Sequence, residues 1–293
     1  MTAPADIADV TEIPGTGHRQ RDRASAIAAG VGRGALVLVA LPGLVVVVLA
    51  IIGPWIAPHP LGATVASPFE PPSAEHLFGT DRLGRDLWSQ ALYGGRSLLV
   101  VPMVATVATV VVGATVGMAA GYLRGWSDGL VRATLDLLLV LPGVLVILVL
   151  ASGWGAGPLV IVIAMVLTGS PFLARLARAA TLDVSQAPFV QVSLTQGDGT
   201  FTILRRDVLP NVAGPLLADS GMRFLGALYL VAALSLLGFG PQTPETNWAV
   251  MISENAEGAG LNLWALVLPA LMIALLSIAV NVVLQIIADR FAR

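Results

Sequence analysis

The most prominent pattern in the sequence is a series of long apolar stretches without charged side chains. Residues 34–69, 97–123 and 137–174 contain no Asp, Glu, Lys or Arg. A helix needs about 20 apolar residues to cross the hydrocarbon core of a bilayer. Because backbone groups in hydrocarbon must form their hydrogen bonds within the segment, such stretches favour helices over strands. The pattern therefore predicts an all-α membrane protein.

The number of spans follows from the lengths of these stretches. Residues 137–174 are too many for one helix, and three glycines followed by Pro158 interrupt them, so we expect a span on each side of this break. Two further apolar stretches lie near the C-terminus, the first of which contains two charges. Six transmembrane helices are predicted, at about 35–56, 97–122, 130–152, 159–174, 212–239 and 263–288.

The distribution of arginine orients these spans. With both termini on one side, twelve of the 16 basic residues fall in segments on that side. Three, namely Arg82, Arg85 and Arg96, fall on the other side. Since arginine-rich loops stay in the cytoplasm, the sequence predicts a multi-pass protein of the bacterial inner membrane with both termini cytoplasmic.

This topology divides the chain into a tail and a membrane domain. Residues 1–33 are polar and are predicted to form a disordered cytoplasmic tail, whereas residues 34–293 form the six-helix domain. We expect two long outer segments, at about 57–95 and 240–262, and one long inner loop, at about 175–211.

Composition excludes several classes of function. Hydrophobic residues make up 56% of the chain and charged residues 12%, so lipid is the expected solvent. The chain has no cysteine, only three widely spaced histidines, and no basic run that indicates nucleic-acid binding. It also has no lysine, which a P-loop requires. We expect no catalytic, cofactor or metal site, so any ATP hydrolysis must occur on a partner.

The first candidate functional segment is the run Gly-Thr-Asp-Arg-Leu-Gly-Arg-Asp in the first outer segment. Its glycines permit tight turns, and its aspartates can cap backbone N–H groups or pair with Arg82 and Arg85. Residues 87–96, with Trp88, suit a helix at the membrane interface. Spacing alone is equally compatible with a plain polar loop. The candidate residues are Gly79, Thr80, Asp81, Gly84, Arg85 and Asp86.

The inner loop is the second candidate. Apolar residues alternate there with polar ones, and glycines interrupt the pattern, which predicts two short amphipathic helices joined by a glycine turn. Such an element can dock in a groove of a soluble partner; a solvated linker is the alternative. The candidate residues are Phe189, Gln191, Val192, Ser193, Gly197, Phe201, Leu204, Arg205, Arg206, Leu209 and Pro210.

Charged residues within the spans form the third candidate. Asp219 and Arg223 are four residues apart, so they share a helix face and can pair. They either line a solute path or form a structural ion pair, and the sequence favours neither. Asp136 has the same spacing from Arg132, and a structural pair is favoured there.

Three stretches together resemble the membrane subunits of ABC importers for dipeptides, oligopeptides and nickel. The run at 79–86 is the most recognisable of them and is intact. In the inner loop, Gly197 and Leu209-Pro210 match the segment that couples to the ATPases, while Gln191, Val192 and Ser193 replace its usual Glu-Ala-Ala. The third stretch is Leu-Ser-Leu-Leu-Gly-Phe-Gly at 234–240.

The resemblance implies a type I importer permease without catalytic activity of its own. It further implies a second, homologous permease subunit, two ATPase subunits that bind ATP and Mg, and an extracytoplasmic solute-binding protein. Peptides or similar solutes would cross between the two permeases. The alternatives are a secondary transporter, or a divergent permease for solutes such as nickel complexes. An intramembrane protease built on Ser170 or Ser220 is disfavoured, because no predicted span contains a histidine.

Overall fold

The computed structural model describes residues 33–123, 126–155, 157–239 and 244–291, and these are largely helical. Of the predicted tail, only Arg33 lies within the described residues. The helices are α1 (Arg33–Ile56), α2 (Leu87–Leu123), α3 (Trp126–Val140), α4 (Gly143–Trp154), α5 (Pro158–Val184), α6 (Pro188–Thr195), α7 (Thr200–Leu234), α8 (Trp248–Asn255) and α9 (Trp264–Phe291). Residues from Ala40 onward form one compact unit; of the unit before Ala40, the described part is helical.

Four of these helices, α2, α5, α7 and α9, are long and apolar enough to cross a membrane. The predicted third span is not a single helix, because α3 and α4 meet at an angle of 85°. Pro142 lies at this break, and proline cannot donate the hydrogen bond that would continue α3. Counting the bent pair as one span gives five spans in the described residues, where the sequence predicts six. The remaining predicted span corresponds to α1, whose apolar part Leu41–Ile56 is shorter than the other spans.

Helix α2 differs from its prediction at its N-terminus. The sequence suggested a separate interfacial helix before a span that begins near Ser97, but α2 runs without interruption from Leu87 to Leu123. Leu87 and Leu92 are buried in the protein. The first turns of α2 therefore pack against other elements and do not lie along a lipid surface.

A stripe of glycines joins α2 to α5. Gly113, Gly117 and Gly121 lie one turn apart on α2 and face the backbone of α5, where a side chain at any of them would meet α5 atoms. Small residues at this spacing let two membrane helices approach closely. Because the contact continues to Arg178, the end of α2 lies beside the part of α5 that leads into the inner loop.

Two groups of buried apolar side chains hold the fold together. The larger one joins α1, α2, α4, α5, α7, α8 and α9, and it includes the fully buried Phe224, Trp248 and Leu276. The second group lies at the opposite end of α2 from the outer segments. It consists of Ala114, Leu173, Ala177, Val190, Ile203, Val208, Val212 and Leu216.

Candidate functional site: the inner loop and the outer segments

The inner loop is fixed to the membrane helices by three apolar side chains. Val190 of α6, and Ile203 and Val208 at the start of α7, have no exposed surface. All three belong to the second buried group, which also contains residues of α2 and α5. A side chain buried in this way restrains its helix, so α6 and the start of α7 are expected to move together with the spans.

A glycine turn separates α6 from α7, as the sequence predicted. Gly197 has φ +84°, a conformation that L side chains rarely adopt. The backbone N–H groups of Gly197 and Asp198 close the turn by donating to Leu194 and Ser193. The second predicted short helix is not separate, because residues 200–203 continue into α7.

The junction within α7 is a widened turn. The segment Leu204–Val208 is π-helical, with the Leu209 N–H bonded to the Leu204 carbonyl. Pro210 follows directly and has no N–H to donate, so the regular bonding pattern cannot continue through it. Such single π turns occur frequently at functional sites.

Several candidate residues of the inner loop are exposed. Phe189 and Val192 on α6 are about half exposed, and Phe201 on α7 is 76% exposed. The Gln191 amide donates to the Ser185 carbonyl, and the Ser193 hydroxyl donates to the Phe189 carbonyl. The remaining exposed candidates are Gln191, Gly197, Arg205, Arg206, Leu209 and Pro210, whereas Ser193 and Leu204 are half-buried. Exposed apolar side chains beside fully buried ones are typical of a surface that a partner covers.

The predicted run at 79–86 forms a buried polar cluster and not a plain loop. Thr80, Asp81, Arg85 and Asp86 are each at most 3% exposed. The Asp81 carboxylate accepts from the backbone N–H groups of Leu83 and Arg85 and from the Arg85 guanidinium at 2.6 Å. The Thr80 hydroxyl donates to a carbonyl at 2.6 Å and accepts from a backbone N–H at 2.8 Å. Both predicted turns are present, since Gly79 and Gly84 have φ +77° and +70°.

Asp86 caps the start of α2. Its carboxylate accepts from the backbone N–H and the hydroxyl of Ser89, at 2.8 and 2.7 Å. Nδ1 of His76 lies 3.4 Å from this carboxylate and Nδ1 of His59 lies 3.7 Å from it. Within the described residues, no group of three or more potential ligands has the arrangement of a metal site.

The second outer segment closes over the first, which the sequence did not predict. Glu254 on α8 accepts from the guanidinium groups of Arg82 and Arg85, at 2.9 and 3.2 Å. The Asn255 side chain accepts from the Arg82 backbone N–H at 2.9 Å. The hydrogen bond to Glu254 raises the pKa of the Arg82 guanidinium above its ordinary value. These contacts join residues about 170 positions apart in the sequence, so no local pattern indicates them.

Asn262 completes the outer cluster, which we define as Thr80, Asp81, Arg85, Asp86, Glu254, Asn255 and Asn262. The buried Asn262 amide donates toward three carbonyl oxygens of the first outer segment, at 3.0 to 3.3 Å. Beside the cluster, the indole N–H of the fully buried Trp248 donates to the Ala91 carbonyl of α2 at 2.7 Å. A buried amide in this position organises the loop around it.

The three charged residues that the sequence singled out within the spans, Asp136, Asp219 and Arg223, form ion pairs. Asp219 and Arg223 pair at 2.9 Å as predicted, and the Arg223 guanidinium also lies over the Phe172 ring of α5. The predicted pair of Asp136 with Arg132 is wrong. Asp136 pairs with Arg175 on α5, and Arg132 pairs with Asp128 at 3.3 Å. The tertiary approach of α5 decides these partners, because it places a second arginine within reach of each carboxylate.

A further ion pair, between Asp128 and Arg178, reinforces the contact between α3 and α5. The Asp128 carboxylate accepts two hydrogen bonds from Arg178, at 2.6 and 2.8 Å. Asp128 lies at the start of the bent helix pair, and Arg178 lies in the last turns of α5 before the inner loop. The bent pair is thus tied to the segment that carries α6.

Comparison with known proteins gives a consistent result. Residues 113–293 match the family described as "Binding-protein-dependent transport system inner membrane component". The chain is 34% identical over 237 residues to the dipeptide transport system permease protein DppC of Bacillus subtilis, covering 80% of this chain and 74% of that one. It is 31% identical to the di/tripeptide transport system permease protein DppC of Pseudomonas aeruginosa, covering 81% of each chain.

A solved structure shows the same fold. A chain of the MetNI methionine ABC transporter in an inward-facing conformation superposes with a TM-score of 0.57 at 16% identity. The superposition covers 68% of this chain and 95% of that chain. The helical fold and the sequence matches agree, and the chain belongs to the family of binding-protein-dependent transport system inner membrane components.

Proposed function

We propose that this permease subunit forms half of the pathway of an ATP-driven importer for peptides or similarly sized solutes. A second, homologous permease subunit forms the other half, and an extracytoplasmic solute-binding protein delivers the solute. Two ATPase subunits bind ATP and Mg and dock on the inner loops. The subunit itself is non-catalytic and lies in the bacterial inner membrane, with both termini in the cytoplasm.

The observation that carries this proposal is the arrangement of α6. Val190 anchors the helix in the protein, while Phe189 and Val192 on the same eight-residue helix remain exposed. An exposed apolar surface on a well-anchored helix is suited to a groove in a soluble partner. The absence of lysine from the chain supports placing nucleotide hydrolysis on that partner.

The packing also suggests how ATP-driven motion reaches the pathway. Because α6 and the start of α7 share one buried group with α2 and α5, a displacement of α6 moves these helices as a body. The pair of Asp128 and Arg178 extends the connection to α3. Alternating access then follows from rigid-body motion of the spans, without covalent chemistry in this chain.

The names of the relatives favour peptides as the solute. They refer to dipeptides, to di- and tripeptides and, for a 32% identical permease of Pectobacterium atrosepticum, to glutathione. All three solutes are short peptides or a peptide derivative. A non-peptide solute such as a nickel complex is the second candidate, and uptake measurements with both classes distinguish them.

The docking role is tested by placing charge on the exposed side of α6. The double variant F189D/V192D keeps the anchoring Val190 but puts two carboxylates on the docking surface. In the complex purified in mild detergent, we expect the ATPases to be retained at least about tenfold less well, because buried unpaired charges weaken interfaces strongly. Insertion of the variant in the membrane should be normal.

The control is Leu261→Asp, which changes an equally apolar, 72% exposed side chain in the second outer segment. Its ATPase content should match that of the wild type. The natural chain has no cysteine, so a single Val192→Cys variant can report orientation by labelling with an impermeant maleimide. Labelling from outside intact cells, or uptake by the subunit without an ATPase, contradicts the proposed function.

A further inference from the structure

After α5, the positive charge of the inner loop lies outside α6. Helix α6 has the sequence Pro-Phe-Val-Gln-Val-Ser-Leu-Thr and contains no charged residue. The positive charges of the loop after α5 are Arg205 and Arg206 at the start of α7. Both side chains are exposed, while Ile203 and Val208 on the other side of this helix are fully buried. Ile203 and Val208 thus anchor this part of α7, and the guanidinium groups lie on its exposed side.

Arg205 and Arg206 also differ from most arginines of the described residues. Six others form an ion pair with a carboxylate, namely Arg82, Arg85, Arg132, Arg175, Arg178 and Arg223. Neither Arg205 nor Arg206 has a carboxylate within 4.0 Å among the described residues, although Asp207 is adjacent in sequence. Arginine guanidinium groups bind carboxylates with two parallel hydrogen bonds, so these two groups are available for an external acid.

The two arginines border a shallow cavity with an aromatic side chain. The cavity has a volume of about 320 Å³, and Phe201, Thr202, Arg205 and Arg206 line it. Phe201 and Arg205 are one helical turn apart, as are Thr202 and Arg206, so the four residues form one continuous face. We call these four residues the basic face. Aromatic and arginine side chains together are typical of the energetically important centre of protein interfaces.

Charge separates a protein partner from a lipid one. Segments that bind anionic lipid usually contain about four to eight Lys or Arg residues. The basic face has two arginines, and Asp198 and Asp207 lie in the same loop. Two guanidinium groups beside an apolar ring fit a small acidic patch with a neighbouring apolar pocket.

We infer that the basic face binds an acidic patch on one of the ATPase subunits, with Arg205 and Arg206 paired to carboxylates and Phe201 inserted beside them. This inference rests on the proposed function and specifies the chemistry of its docking surface. Helix α6 then supplies apolar contact, and the start of α7 supplies the positive charge. The partner surface is therefore acidic opposite this subunit.

The absence of lysine from the chain permits a direct test. Arg205→Lys and Arg206→Lys keep the positive charge and introduce a side-chain amine that occurs nowhere else in the sequence. A carbodiimide joins an amine directly to a carboxylate only when the two groups are in contact. In the complete complex in mild detergent, we expect a cross-link to an Asp or Glu of an ATPase subunit, identified by mass spectrometry.

Two controls define the background of the cross-linking. The wild-type chain has no side-chain amine and should give no such product. The variant Arg96→Lys introduces the same amine near the outer end of α2, far from the inner loop, and should give no product with an ATPase. In parallel, the double variant R205E/R206E should retain the ATPases at least about tenfold less well, with part of this loss recovered in high salt.

The outcomes separate this inference from the proposed function. An intact complex that gives no cross-link to an ATPase from either lysine variant overturns the inference and leaves the proposed function standing. The inference is likewise overturned when R205E/R206E keeps its ATPases but retains less co-purifying phosphatidylglycerol than the wild type, since the basic face then binds lipid. A wild-type chain that never co-purifies with an ATPase contradicts the proposed function itself.

Discussion

The outer cluster and the inner loop use polar and apolar side chains in opposite ways. In the outer cluster, Asp81 and Arg85 are buried and fully paired, and they hold two distant segments together. In the inner loop, Val190 and Ile203 provide the anchor, while apolar side chains such as Phe201 are exposed, and the exposed Arg205 and Arg206 have no ion-pair partner among the described residues. The polar groups of the first region find their partners within the chain, whereas the second region exposes the surface that we propose as a docking site.

This difference predicts which property, stability or assembly, a substitution in each region should change. A buried ion pair contributes little net stability over an apolar pair, but removal of one partner leaves an uncompensated charge. Substitutions in the outer cluster should therefore lower the stability of the subunit itself. Substitutions on exposed inner-loop residues should leave stability nearly unchanged and should alter assembly.

The largest expected effect is that of Asp81→Ala. The change removes the carboxylate that holds Arg85 and two backbone N–H groups, and Arg85 is only 2% exposed. We expect the free energy of unfolding to fall by about 3–5 kcal/mol, the range for breaking a buried pair. Thermal unfolding of the purified subunit in detergent measures this change.

The matched control is Arg82→Ala, which removes the pair of Arg82 with Glu254; the Arg82 side chain is 41% exposed, unlike that of Arg85. Exposed pairs contribute about 0–1 kcal/mol, so the midpoint of unfolding should hardly change. Equal losses for the two variants would show that burial does not distinguish these pairs.

A smaller effect is expected for Gly197→Ala in the inner loop. Nothing lies within 4 Å of a methyl group added there, so the change acts through the positive φ alone, at about 1–2 kcal/mol. Because Gly197 is exposed, we expect the turn of the free subunit to relax and relieve this strain, whereas the docked turn must keep the positive φ. ATPase retention should therefore drop about 5- to 30-fold while the unfolding midpoint stays within error. Quantitative immunoblotting of the purified complex measures retention.

Gly199→Ala provides a control only two residues away. Gly199 has φ −70°, and a methyl group there also meets no atom within 4 Å, so alanine fits without strain. Its ATPase content should equal that of the wild type. Similar losses for both variants would indicate that the loop needs flexibility and not the left-handed turn.

The last comparison concerns Trp248→Phe beside the outer cluster. Phenylalanine keeps an aromatic ring in the buried site but is smaller and cannot donate to the Ala91 carbonyl. The lost hydrogen bond contributes about 1 kcal/mol net, and the volume that the smaller ring leaves empty adds to the loss of stability. Trp264→Phe, at a side chain that is 42% exposed, should change the unfolding midpoint less. The comparison fails if the exposed substitution is the more damaging of the two.

Much of the fold was predictable because a helix that crosses a bilayer needs about 20 consecutive, mostly apolar residues. Apolar length alone located α2, α5, α7 and α9, and the glycine turn at Gly197 followed from residue type. Sequence spacing also paired Asp219 with Arg223, since residues four apart share a helix face. These successes all depend on residues close together in the chain.

The errors have a common cause in contacts between distant segments. Asp136 has an arginine at helical spacing, yet it pairs with Arg175, because α5 packs against α3. The first turns of α2 look interfacial by composition, but they are buried by the second outer segment. A local sequence pattern does not show which helix packs against it in the folded protein.

The sequence by itself determined that this protein is helical, lies in a membrane and contains a turn that requires glycine at position 197. Solvation by hydrocarbon and backbone sterics act residue by residue, so composition and spacing are sufficient for these features. Only the tertiary structure decided that the two outer segments close into one cluster and that Arg205 and Arg206 remain unpaired among the described residues. Ion pairs and burial depend on distances across the fold, and those distances exist only after the helices have packed.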